Sequence, residues 1–186
     1  MRAFIAIEMS KEIKDYLYGL QKKFQAQLRK ENIKINWIAK KNLHLTLKFL
    51  GEVNEETIDI VRKRLKMIEF NELGLELDNL GLFPGEDYIR VVYAGLQPEE
   101  KVIELQQRID MELLDIFTKE QDFHGHVTIA RVKFVKDKIK LRELMKEKIE
   151  KKKMTIKNFQ LMKSELSKDG PRYFVLEKFK CLEEKN

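Results

Sequence analysis

Ile13, Leu17, Leu20, Phe24 and Leu28 recur at steps of four, three, four and four. That is the apolar stripe of an amphipathic helix, and Ser10 ahead of it can cap the first turn, so a helix is predicted over 10–31. Asn54 opens a second stripe of Ile58, Val61, Leu65 and Ile68. Pro98 opens a third, of Val102, Leu105, Ile109, Leu113 and Ile116. A weaker fourth helix is predicted over 138–151. Between the helices the period falls from 3.6 to 2, and β-rich or alternating runs cover 1–8, 35–38, 43–49, 73–83, 88–96, 126–134, 155–166 and 173–179. Phe83-Pro84-Gly85-Glu86-Asp87 and Ser167-Lys168-Asp169-Gly170-Pro171 are short turn-forming stretches that join neighbouring strands as hairpins. Hairpins mixed with helices predict an α+β fold whose sheets are antiparallel.

Composition narrows the setting. The chain has 186 residues, 43% of them hydrophobic, and its three prolines fall between periodic segments. One domain over 1–186, without a flexible linker, is the expectation. The single cysteine, Cys181, cannot form an internal disulfide, and no apolar run approaches the ~18 residues of a membrane span. A cytoplasmic protein without a membrane segment is expected. Against 31 acidic residues stand 37 lysines and arginines, a net charge of +6. That balance favours a polyanionic partner, though dense Lys and Glu usage also suits a plainly solvated surface.

Candidate chemistry lies in a repeat. Leu43-His44-Leu45-Thr46-Leu47 and Gly125-His126-Val127-Thr128-Ile129 share the pattern His-apolar-Thr-apolar, in a chain with three histidines and five threonines. Chance explains such a pair poorly. On a strand, His44 and Thr46 face one way while Leu43, Leu45 and Leu47 face the core, and His126 and Thr128 do the same. Two such strands across a cleft would offer two imidazoles, able to give and take a proton near neutral pH, and two uncharged hydroxyl donors for an anion. In-line attack at phosphorus wants a base on one side and an acid on the other, so phosphoryl transfer fits the set without a metal.

These motifs resemble the two-histidine (2H) phosphoesterases, and among them the RNA 2′,3′-cyclic phosphodiesterases once named 2′-5′ RNA ligases. The resemblance runs through Met1-Arg-Ala-Phe-Ile-Ala-Ile7, Trp37, His44-Leu-Thr-Leu-Lys-Phe-Leu-Gly51, Gly81-Leu-Phe-Pro84, His126-Val-Thr-Ile-Ala-Arg131 and Lys163-Ser-Glu-Leu166. It implies a bilobal, pseudosymmetric α+β fold, with one motif per lobe and two antiparallel sheets lining a central cleft under outer helices. It also implies hydrolysis of a terminal 2′,3′-cyclic phosphate to a 2′-phosphomonoester, with no cofactor and no metal. The implied partner is an RNA or nucleotide with such an end, such as a tRNA fragment, and the implied state is a monomer. Carried over, His44 is the general acid on the leaving 3′-oxygen, His126 the general base on water, and Thr46 and Thr128 hold phosphate oxygens. The near symmetry of the motifs does not itself say which imidazole is which. The family often has Pro before the second histidine, where this chain has Gly125 preceded by His124.

Two cations near the motifs are candidate substrate contacts. Lys48, at His44 plus four, shares the motif face by alternation. Arg131, at His126 plus five, falls on the opposite face and would need a bulge to reach the site, although the resemblance favours a substrate role. Two other readings stay open: a zinc site of His44, His124 and His126, and an RNA-binding module without turnover that uses Phe4, Trp37, Phe83 and Tyr173 as stacking surfaces. Ligation, the reverse direction of the same chemistry, also stays open.

Overall fold

Ser10 accepts a hydrogen bond from the Ile13 N–H at 3.2 Å, and helix α1 follows over Lys11–Leu28 with its five predicted apolar residues buried. Asn54 caps α2 (Glu55–Leu65) in the same way through the Thr57 N–H, and Glu55 and Glu56 lie in its positive first turn. The computed structural model describes residues 1–29, 31–136, 138–168 and 170–182; Asp169, in one predicted hairpin turn, lies outside them. Among the described residues the remaining helices are α3 (Glu99–Glu112) and α4 (Ile139–Met145), and a 3-10 turn spans Lys40–Asn42. The strands are β1 (Arg2–Glu8), β2 (Ile33–Trp37), β3 (His44–Glu52), β4 (Leu73–Pro84), β5 (Ile89–Gln97), β6 (His126–Val135), β7 (Lys153–Ile156), β8 (Asn158–Ser167) and β9 (Gly170–Lys180).

All nine pair antiparallel in the order β7-β4-β5-β6-β3-β1-β8-β9, and β2 lies against β6. The order is symmetric about its centre: β6, β5, β4 and β7 run outward on one side, β3, β1, β8 and β9 on the other. β3 and β6 pair only at Leu45 and Val127, both fully buried. The two expected sheets are therefore two wings of one sheet, joined at a single residue pair between the motifs. The helical stripes pack with Leu43, Leu45, Leu47, Val127 and Ile129 in one core, which leaves the opposite faces of β3 and β6 to the cleft. The predicted run 155–166 is divided at Lys157: β7 extends the β4 edge and β8 pairs with β1. Alternation cannot register a change of partner, so the division was not legible in the pattern. Both predicted hairpins form, β4 with β5 and β8 with β9. Among the described residues no helix is long and apolar enough to cross a membrane.

Candidate active site

Each motif histidine is fixed by the backbone two residues before it. His44 Nδ1 lies 2.7 Å from the Asn42 carbonyl and His126 Nδ1 lies 2.8 Å from the His124 carbonyl. A carbonyl only accepts, so Nδ1 carries the proton and Nε2 of the neutral ring is the basic nitrogen in both cases. Nε2 of His44 accepts from the Thr46 hydroxyl at 2.9 Å. Aromatic rings wall each imidazole. His44 sits 5.1 Å from Phe4 and 5.3 Å from the edge-on Tyr173 ring. His126 sits 5.0 Å from Phe83 and 5.3 Å from Tyr93. Tyr93 in turn lies across Gly81, where a Cβ would meet its ring carbon at 2.2 Å, so the opposed strand position must be bare.

A bulge follows each motif. On β6, Thr128 pairs with Tyr93 and Ala130 with Val92, so Ile129 is the extra residue. Its carbonyl takes the N–H of Ile38 at 3.0 Å and the buried Gln21 amide at 2.7 Å, which satisfies the group the ladder leaves over. Beyond the bulge the alternation is reversed, and Arg131 joins His126 and Thr128 on the cleft face. The bulge that Arg131 requires is present.

The same slip on β3 has the opposite effect on Lys48. Thr46 pairs with Ala6 and Lys48 with Ile5, so Leu47 is extra and Lys48 turns inward. The expectation of a substrate contact by Lys48 is corrected: the residue is 2% exposed, its Nζ is paired with Asp110 of α3 and donates to the Thr118 carbonyl at 2.8 Å. Asp110, equally buried, also accepts from Gln106 at 2.7 Å and from the Glu120 N–H at 3.0 Å. Phe49, at the spacing from His44 that Arg131 has from His126, reaches the cleft instead and is 58% exposed. Phe49, Tyr93 and Gln21 were not singled out from sequence. The shared plus-five spacing marks Phe49 only once the bulges are known.

The four motif side chains, Arg131 and Phe49 line one cleft of about 1070 Å3 between the wings. Phe4, Trp37, Phe83 and Tyr173 border it too, but Phe4 is buried against His44. His124 turns its ring to Glu99, 3.4 Å away, and Glu99 accepts the Gly125 N–H at 2.9 Å. Among the described residues no three His, Cys, Asp or Glu side chains converge as a metal site requires.

The model of the family described as LigT-like phosphoesterase matches residues 7–93 and 95–173 of this chain. An RNA 2′,3′-cyclic phosphodiesterase of Methanocaldococcus jannaschii is 36% identical over 96% of this chain and 100% of that protein. One from Methanothermobacter thermautotrophicus is 33% identical over 97% and 98%. The chain belongs to the LigT-like phosphoesterases. Among solved structures, Thermus thermophilus TT0787 superposes with a TM-score of 0.79 at 25% identity over the whole of both chains. Escherichia coli LigT, solved with 3′-AMP, gives 0.76 at 24% identity over 98% of each, a likeness of fold.

In this LigT-like cleft, electrostatics keep both imidazoles neutral to lower pH than usual. Burial pushes the His44 pKa below 6.5, and the charges of Lys14, Arg131 and His126 add to that against the bond to the Asn42 carbonyl. Burial also lowers His126, with His124 and Arg131 acting in the same direction and the His124 carbonyl and Glu99 opposing. Burial raises the Tyr173 hydroxyl, which stays a donor. Two basic Nε2 atoms, two hydroxyls and a guanidinium in one cleft can bind an anion, take one proton and give another.

Proposed function

We propose that this protein hydrolyses a 2′,3′-cyclic phosphate at an RNA or nucleotide end to a 2′-phosphomonoester, with His126 as base and His44 as acid. Water attacks phosphorus and loses a proton to His126 Nε2. The P–O3′ bond breaks as protonated His44 gives its Nε2 proton to O3′, leaving a free 3′-hydroxyl. His44 is then neutral and His126 protonated, and exchange with solvent resets the pair. Thr46 and Thr128 donate to the non-bridging phosphate oxygens, Arg131 balances their charge, and the face of Phe49 receives the terminal base.

The observation that carries this reading is the pair of imidazoles held by backbone carbonyls through Nδ1, so that Nε2 is the basic nitrogen of each in one cleft, that of His44 resting on the Thr46 hydroxyl. The names of the full-length relatives agree with it. A monomer suffices, since one chain supplies both half-sites, and the continuous sheet supports one domain of two lobes with a motif in each. The single cysteine suits the cytoplasm.

The test is ³¹P NMR of an oligoribonucleotide with a 2′,3′-cyclic phosphate end, incubated in EDTA with the protein and with its His44→Ala and His126→Ala variants. The expected result is conversion to a 2′-phosphate by the wild type and an unchanged cyclic signal with either variant. Metal-dependent turnover, or tight RNA binding with no turnover, would overturn the reading.

A further inference from the structure

The cleft holds more volume and more cationic groups than one terminal nucleotide requires. Its 1070 Å3 passes the upper end of the ~300–1,000 Å3 typical of sites for drug-sized ligands. Arg131 already stands beside the motif residues. Two more arginines, Arg2 of β1 and Arg172 of β9, line the same cleft, both exposed, and among the described residues neither side chain makes an ion pair or a hydrogen bond. Elsewhere on the surface arginines meet carboxylates, as Arg62 does Asp59, Arg64 does Asp115 and Arg142 does Asp87. The carboxylates that line the cleft, Glu120 and Asp122, belong to the loop between α3 and β6, and neither pairs with Arg2 or Arg172.

Register places Arg2 on the wall next to the reacting centre. Arg2 pairs with Ser164 and Ser164 with Tyr173, a row across β1, β8 and β9 whose side chains share one face. Two strand spacings of ~4.8 Å put the Arg2 backbone about 10 Å from that of Tyr173, whose ring stands edge-on to His44 at 5.3 Å. The positive charge of Arg2 is felt at the Tyr173 hydroxyl, which it pulls down against the effect of burial. Arg2 stands two residues along β1 from Phe4, whose ring packs 5.1 Å from His44. It is well placed for the next phosphate of a chain.

We infer that Arg2 forms a second phosphate site, which takes the phosphodiester joining the terminal nucleotide to the one before it, and that the protein acts on chain ends in preference to free cyclic mononucleotides. This rests on the proposed reaction and adds its substrate class. The RNA leaves the cleft over the β8–β9 hairpin, away from Glu120 and Asp122, because that wall carries Arg2, whose side chain has no ion pair among the described residues.

The experiment compares kcat/KM for 2′,3′-cyclic AMP, for a diadenosine nucleotide with a 2′,3′-cyclic end, and for the same dinucleotide with an uncharged methylphosphonate linkage, across a range of KCl. Wild type, Arg2→Gln and, as a control one residue from Tyr173 on β9 and so on the other face, Arg172→Gln are measured side by side. The wild type is expected to prefer the charged dinucleotide about tenfold over both other substrates. Arg2→Gln is expected to remove most of that preference and to reduce the salt slope for the dinucleotide by about one. Equal kcat/KM for the three substrates, or a preference that survives in Arg2→Gln, overturns the inference. If the wild type opens no cyclic phosphate, the proposed reaction has failed, and the subsite is judged by fluorescence anisotropy of a labelled dinucleotide with a 2′-phosphate end. Binding must then weaken about tenfold in Arg2→Gln, and unchanged binding overturns the site.

Discussion

The β3 and β6 half-sites share a backbone plan and differ in what it delivers. Both anchor the imidazole on a carbonyl two residues back, place a threonine two residues on, and insert one extra residue, Leu47 or Ile129, directly after. Past that bulge β3 delivers Phe49 to the cleft and β6 delivers Arg131. The braces differ as well. The Ile129 bulge is held by the neutral amide of Gln21, whereas the residue after the Leu47 bulge is Lys48, locked to Asp110 in the core. A near-symmetric scaffold thus yields an asymmetric site, because single residues at equivalent positions decide where charge and aromatic surface go.

The largest effect expected is loss of either imidazole. His44→Ala and His126→Ala should each lower kcat by roughly 10²–10⁴, the range of general acid–base catalysis, and steady-state hydrolysis of the cyclic end measures it. A half-site that could be removed at little cost would break the comparison. Next come the braces. Lys48→Met leaves Asp110 charged and unpaired in the core and should cost about 3–5 kcal/mol of stability, most of it recovered in the Lys48→Met, Asp110→Leu double variant. Gln21→Leu should cost about 1–3 kcal/mol, since the Ile129 carbonyl keeps the Ile38 N–H while the Ile38 carbonyl loses the Gln21 amide. Urea denaturation ranks the three.

The delivered residues should separate by kinetic parameter. Arg131→Gln should lower kcat about a hundredfold through lost charge stabilisation of the phosphate. Phe49→Ala should raise KM about tenfold through lost stacking, with kcat little changed. The smallest effect is that of pH. Both imidazoles are held below the usual 6.5 by burial, and the reaction needs one protonated and one neutral. The kcat/KM profile should therefore be a bell centred on the acid side of 6.5, with limbs that belong to the pair. The sign for stability is the same: the unfolded chain binds protons first, so stability is full above about 6.5 and is lost as pH falls toward the folded values.

The helices, the hairpins and the four motif residues were legible because their signals are local: 3.6 and 2 periodicities, caps, turn residues and a doubled spacing. The bulges were not. Whether a strand inserts an extra residue depends on partners far away in sequence, here Gln21 and Ile38 for Ile129 and Asp110 for the turn of Lys48. Strict alternation therefore misplaced both cations, putting Lys48 in the cleft and Arg131 out of it. Gly81 shows the same limit, since its need for no side chain comes from Tyr93 on the facing strand.

The central claim, that the two imidazoles divide acid and base work on a cyclic phosphate, is tested most directly by sulfur in place of the leaving oxygen. A 3′-thio-2′,3′-cyclic substrate expels a thiolate that needs no proton, so only the acid becomes dispensable. The account predicts that His44→Ala regains at least tenfold in rate, relative to wild type, on changing from oxygen to sulfur, while His126→Ala regains nothing. Equal recovery in both variants, or recovery in His126→Ala alone, would contradict it.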